Sequence, residues 1–135
     1  METMTPYERQ RLASDPSTAP DVLAALATDK ELLIRGAVAL NQKTPISVLT
    51  VLIKDESWLV RCYASQHVNL PVGCLDNLSR DDVFQVRVQV ARLSRTPETL
   101  SFLAKDVHKH VRWGLALNLN SPYGIWLDGL GRILP

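Results

Sequence analysis

Leucines come in pairs along this 135-residue chain. Leu23 and Leu26, Leu49 and Leu52, Leu75 and Leu78, and Leu100 and Leu103 each stand three residues apart, the spacing of one helical face. Three residues after each pair comes an aspartate: Asp29, Asp55, Asp81 and Asp106. Six residues after each Asp comes an arginine: Arg35, Arg61, Arg87 and Arg112. A β-branched residue precedes each Arg, and a small residue (Ala39, Ser65, Ala91 or Ala116) follows four positions later. Pro20, Pro45, Pro71 and Pro97 open the series, and Pro122 continues it. The arginines are 26, 26 and 25 residues apart, so the chain is a tandem repeat of about 25 residues.

Each unit reads as a helix pair. In the second, Thr44 is expected as an N-cap, with Pro45 at the first helical position. Val48, Leu49, Leu52 and Ile53 follow the i, i+3, i+4 rule of an amphipathic helix, called helix A. Asp55 is expected to end helix A and cap helix B, whose stripe is Leu59, Val60, Tyr63 and Ala64. Helices of about 9–11 residues are marginal alone and must bury their stripes against neighbouring units. Thr5-Pro6-Tyr7-Glu8 is a capping box opening an earlier helix that runs to about Ser14.

The expected fold is therefore all-α. It is an α-solenoid of about four full helix-pair repeats, roughly 20–44, 45–69, 70–95 and 96–120, within a single domain 1–135. Partial units close both ends. Arg9, Leu12, Ala13 and Asp15 fall where Arg35, Val38, Ala39 and Asn41 fall one unit later, giving a capping helix at about 5–14. A C-terminal cap spans 121–135, where the Leu and Asp columns are lost.

Pro, then Leu-x-x-Leu, then Asp-x-x-x-x-Val-Arg resembles the HEAT repeat core. The shorter period, with Ala39-Leu-Asn41-Gln-Lys-Thr-Pro45 leading to Val48-Leu49, more closely resembles the bacterial variant leucine-rich repeat. The resemblance covers roughly residues 8–127. It implies right-handed stacks of helix pairs whose main use is to present a surface to protein partners. Some variant leucine-rich repeat proteins carry an N-terminal iron–sulfur part, but no residue before Cys62 matches it. Some HEAT-like proteins bind or repair DNA and others are lyases, yet neither activity follows from the repeat itself.

Two readings compete for the charged columns. Asp29, Asp55, Asp81 and Asp106 with Arg35, Arg61, Arg87 and Arg112 form either a ladder fixing register between units or four stacked cations for phosphates or an acidic partner. The in-step Asp column argues for the ladder. Formal charge is +1, without the basic excess of a dedicated nucleic-acid binder. Residues 68–135 carry eight Lys/Arg against six Asp/Glu, so that half is slightly positive.

No catalytic motif emerges, so the chain is expected to be no enzyme and to hold no cofactor or metal. His108 and His110, two residues apart, would point about 200° apart on a helix and so would not share a metal. His67 falls in the connector column of Asn41 and Asn118, a place for hydrogen bonds to loop backbone. Leu32 and Phe84, at the start of helix B, are expected to pack under helix A. Trp58 and Trp113 are the better candidates for exposed anchors. With Arg92, Arg95, Lys109 and His110 they make the candidate partner-binding set. The leading expectation is a non-enzymatic scaffold or adaptor that binds another protein along the helix B series. A nucleic-acid surface using the C-terminal-half cations is the alternative, and a HEAT-like lyase stands last. No signal peptide or run of roughly 18 apolar residues is visible, and a cytoplasmic protein is expected.

Overall fold

The structure is a computed structural model that describes residues 3–118 and Ser121. The expected C-terminal cap, with Pro122 and Arg132, lies outside the described residues apart from Ser121. Among the described residues the chain is all-helical, with nine α-helices, one 3-10 turn and no strand. It divides into two compact units, Met1–Leu70 and Pro71–Pro135.

The first unit holds α1 (Pro6–Ser14), α2 (Pro20–Leu26), α3 (Leu32–Leu40), α4 (Ile46–Leu52) and α5 (Trp58–Ser65). Thr5 opens α1 with a complete capping box to Glu8. The helix B elements α1, α3 and α5 pack in a row, and α2 and α4 each lean on the two beside them. Leu23, Leu26, Leu49 and Leu52 of the A helices meet Ile34, Val38 and Val60 of the B helices in the core. Each such side chain contributes about 1.5–3 kcal/mol of burial.

The second unit holds α6 (Val72–Asn77), a 3-10 turn (Leu78–Arg80), α7 (Phe84–Leu93), α8 (Pro97–Leu103) and α9 (Lys109–Ala116). Here α7 packs on α9, with α8 against both. Its core is Val86, Val90, Leu100, Leu103, Val111 and Leu115. Leu75 is the one leucine of the paired columns that is only half-buried. It sits in the six-residue α6, which carries Gly73 and gives way to the 3-10 turn.

Helix A is shorter than the spacing predicts, at six or seven residues, whereas helix B has eight to ten. Thr44 is not an N-cap. Its hydroxyl donates to Val38 O at 2.6 Å and closes the preceding helix B instead, as Thr18 does at Leu12 O. The Asp column also acts earlier than expected. Each Asp Oδ1 accepts the backbone N–H two residues on, from Glu31, Ser57, Val83 and His108 at 2.8–3.0 Å. This Asx turn ends just before helix B begins.

Each column arginine donates Nη1 to the backbone carbonyl of its own unit's Asp. Nε and Nη2 of Arg35 fork onto the Asp55 carboxylate of the following unit at 2.8 and 3.0 Å. Arg87 grips Asp106 the same way at 2.8 and 3.1 Å, and Arg9 holds Asp29 at 2.7 and 3.5 Å. Burial alone would raise these carboxyls. The arginine hydrogen bonds, the Asx-turn N–H and the arginine charge outweigh it and hold Asp29, Asp55 and Asp106 below the usual carboxylate range.

A second tie was less visible in the sequence. Asn41 Nδ2 donates to Ala13 O and Asp15 O at 2.8 and 3.0 Å, while its Oδ1 accepts Lys43 N–H at 2.9 Å. Asn118 repeats the donation to Ala91 O and Ser94 O, both at 2.8 Å. His67 fills the same place one unit after Asn41. Its Nδ1 accepts Asn69 N–H at 3.1 Å, so Nε2 carries the proton and donates to Asn41 O at 3.0 Å. Asp15 keeps only the accepting half, towards Ser17.

Two predictions follow from these ties. Asn41→Ala leaves the buried Ala13 carbonyl and the part-buried Asp15 carbonyl without this donor and costs about 2 kcal/mol in urea unfolding. Asn41→Asp costs more than Asn41→Ala, because it aims a carboxylate at the same oxygens; equal losses would refute the peg. Removing Arg35 from its fork should cost about 3 kcal/mol, and an Arg35→Ala/Asp55→Ala cycle should show coupling above about 1 kcal/mol. The unfolded Asp pKa is about 3.9 and the folded values are lower. Stability is therefore complete above pH ~4 and falls as pH drops through the depressed folded values. The Arg35→Ala protein should lose this acid dependence in part, read as unfolding midpoint against pH.

Candidate partner-binding surface

The ladder residues are occupied by the ties just described, so the available chemistry lies on the outward sides of the B helices. In the first unit this side is apolar. Leu33 is 56% exposed and Trp58 41% exposed, and Tyr7 and Leu40 are also exposed. Leu32 does not pack under helix A as expected: it is 41% exposed, because the Asx turn at Asp29 starts α3 with Leu32 and turns Ile34 and Arg35 inward instead. Gly36 lets α5 come close. A Cβ there would stand 2.9 Å from the Tyr63 ring, which lies across the glycine. Gln10, Ser14, Leu33, Ala37, Leu40 and Tyr63 line a shallow hollow of about 240 Å³ over α1, α3 and α5.

The matching side of the second unit is polar and basic. Gln85, Gln89 and Arg92 of α7 lie at helical spacing, as do His110, Trp113 and Leu117 at α9. Trp113 is 37% exposed, and Arg92, Arg95, Lys109 and His110 are all exposed. A Cβ on Gly114 would stand 2.9 Å from Ala91 Cβ and 3.4 Å from Arg92 Cγ, so the Arg92 stem crosses the α7–α9 seam. Trp58 and the basic candidates lie in different units. The predicted set therefore divides between the two units, Trp58 in the first and Trp113, Arg92, Arg95, Lys109 and His110 in the second.

The two histidines depart from the expected arrangement. His108 is the N-cap of α9 rather than a helical residue, so the about 200° separation does not apply. Its Nδ1 accepts His110 N–H at 3.2 Å. Phe84, half-buried, stacks on His108 with ring centroids 3.7 Å apart and planes 7° apart, and His110 continues the stack at 5.1 Å. Desolvation, with His110 and Arg87 adding like charge, holds the His108 imidazole below its usual pKa. Among the described residues no group of three or more His, Cys, Asp or Glu is placed to hold a metal.

Elsewhere in this unit Arg80 lies over the exposed Phe102 ring at 4.4 Å. These two residues and Lys105 help line a cleft of about 610 Å³. Both cysteines are free thiols, Cys62 buried and Cys74 half-buried. Among the described residues no helix is long and apolar enough to cross a membrane. Compared with known proteins, the chain matches no family model, no curated protein and no solved structure.

The sign of the His108 shift sets a pH prediction. A histidine with a depressed folded pKa stabilises the fold above its unfolded value, about 6.5, and that contribution is lost as pH falls through the folded value. Protonation also removes the Nδ1 acceptor that caps α9. Lowering pH from 7.5 to 5.5 should reduce amide protection at the start of α9, measured as exchange relative to the intrinsic rate at each pH, and His108→Asn, which keeps an acceptor, should flatten that response. An unchanged response in the variant would exclude His108 as its source.

Proposed function

We propose that this chain is a HEAT-like α-solenoid, akin to the variant leucine-rich repeat, that works as a non-enzymatic scaffold or adaptor and binds another protein along its helix B surfaces. The Arg–Asp fork made by Arg9, Arg35 and Arg87, and the Asn peg made by Asn41 and Asn118, support the solenoid reading. The observation that carries the binding reading is the number of exposed apolar and aromatic side chains on α1, α3 and α5, chiefly Tyr7, Leu33, Leu40 and Trp58. Leu33 and Leu40 line one hollow with Tyr63, and Trp and Tyr are over-represented at binding hot spots. The proposal sets the protein in the cytoplasm, in keeping with its two free thiols.

The test is affinity capture from the native cell, with quantitative mass spectrometry of what is retained. Wild type and Val51→Glu, a change on the exposed part of α4, should retain the same partner. Leu33→Glu should lose it by tenfold or more while unfolding at the wild-type midpoint. A retained set identical across all three proteins overturns this reading. A second reading is nucleic-acid binding, favoured by exposed Arg92, Arg95, Lys105 and Lys109, none of which meets a carboxylate among the described residues. Its signature is affinity that falls steeply with salt.

A further inference from the structure

The hollow over α1, α3 and α5 has a size and a lining that narrow the partner. On α3, Leu33, Ala37 and Leu40 stand at i, i+4 and i+7, so they share one outward face. The two leucines are exposed, and the small alanine leaves a gap between them. The repeat column that holds Ala37 on α3 holds Arg11 on α1 and Tyr63 on α5. One small residue in a column of large ones thus sets the gap. Tyr63 borders it from α5, its ring standing where a side chain at Gly36 would otherwise be, 2.9 Å from the Cβ position. Gln10 and Ser14 border it from α1.

The volume is about 240 Å³. Sites for cofactors and other whole small molecules run from about 300 to 1,000 Å³, so this hollow suits a single side chain. None of the residues lining it is charged. The three charged residues adjacent to the lining in sequence are directed elsewhere: Arg9 grips Asp29, while Arg11 and Asp15 line a neighbouring hollow with Tyr7. A charged side chain entering here would lose water and gain no counter-charge, so the occupant is neutral. The Tyr63 ring makes one wall aromatic, and a second ring gains there beyond the area it buries. The Asn41 amide is already engaged by the peg. The side chains of Gln10, Ser14 and Tyr63 have polar ends with no hydrogen-bond partner among the described residues.

We infer that the hollow is a socket for one aromatic side chain of the partner protein. The ring enters between Leu33 and Leu40 against Tyr63, and Gln10 and Ser14 bond the peptide groups beside it. This deepens the protein-binding reading above and rests on it. Leu33→Glu would disable a socket and a featureless apolar patch alike, so filling the hollow is what separates them. Ala37→Leu adds apolar surface. A patch would bind as well or better after that change, whereas a socket would already be occupied.

The experiment is a heteronuclear NMR titration of the full chain with three small probes: N-acetyl-phenylalaninamide, N-acetyl-leucinamide and the amide of N-acetyl-glutamate. The phenylalanine probe should shift the amides of Leu33, Ala37, Leu40 and Tyr63 saturably and bind about threefold or more tighter than the leucine probe. The glutamate probe should leave those amides unmoved. Ala37→Leu should weaken the phenylalanine probe about tenfold or more. Tyr63→Leu should bring it to the level of the leucine probe, and Trp113→Ala, in the second unit, is the unaffected control. Unfolding midpoints for each variant keep loss of binding separate from loss of fold, and Tyr63→Leu carries the test alone if Ala37→Leu does not fold. Unchanged or tighter binding to Ala37→Leu, a leucine probe that binds as tightly as the phenylalanine probe, binding of the glutamate probe, or saturable shifts confined to other residues overturns the inference. If the probes fail but cellular partner capture still depends on Leu33, the socket falls and the protein-binding reading stands. If capture also proves indifferent to Leu33, both fall.

Discussion

The fork from one arginine to the aspartate of the next unit is the constraint on which the rest of the structure depends. One guanidinium does two jobs at once. It closes its own unit's A–B turn through a backbone carbonyl, and it grips the following unit's carboxylate with two parallel bonds. That carboxylate is itself the acceptor that forms the following Asx turn. The turn that starts one helix B is thus held by the helix B before it. Short A helices of six or seven residues would not persist alone, and they need this linkage together with the leucine core.

At the other end of α3 and α9, the Asn peg has the same logic in neutral form. It satisfies the last carbonyls of the preceding helix B, which helix geometry leaves unpaired. The two ties sit at opposite ends of helix B, so α1 and α3 in the first unit, and α7 and α9 in the second, are fixed in both translation and rotation. The departures from the repeat are local and have local partners. Ser94 replaces the expected amide and shares the Asp76 carboxylate with Thr96. α7, at ten residues, is one or two longer than α3, α5 and α9, and the connector after it is short, residues 94–96.

The all-helical class was legible because Leu spacing, Pro positions and Asp positions all pointed to short helices. The columns were equally plain, but their partners were not. Spacing alone left Arg35 free to reach its own unit or the next, and it reaches both, by backbone and by side chain. Thr44 looked like a cap because Ser and Thr before Pro usually are, yet a buried hydroxyl beside an open helix end finds its carbonyl first. Leu32 looked like core because it is leucine at the start of helix B, yet the phase set by the Asx turn at Asp29 turns Ile34 and Arg35 inward and leaves Leu32 outward. His108 misled for the same reason, since its place just outside α9 replaced helical geometry by a stack on Phe84. The exposed surface resisted reading most, because side-chain exposure depends on helix phase and not on residue type.

Gly36 has a consequence for how such a surface would bind. The Tyr63 ring occupies the space that a side chain at Gly36 would need, 2.9 Å from where its Cβ would stand. An aromatic group that folding has already fixed in place has few rotamers left to lose when a partner arrives. The entropy that an interface normally surrenders at a flexible side chain was given up earlier, during folding. A glycine with no contact to any ligand thereby becomes a determinant of affinity, acting through preorganisation.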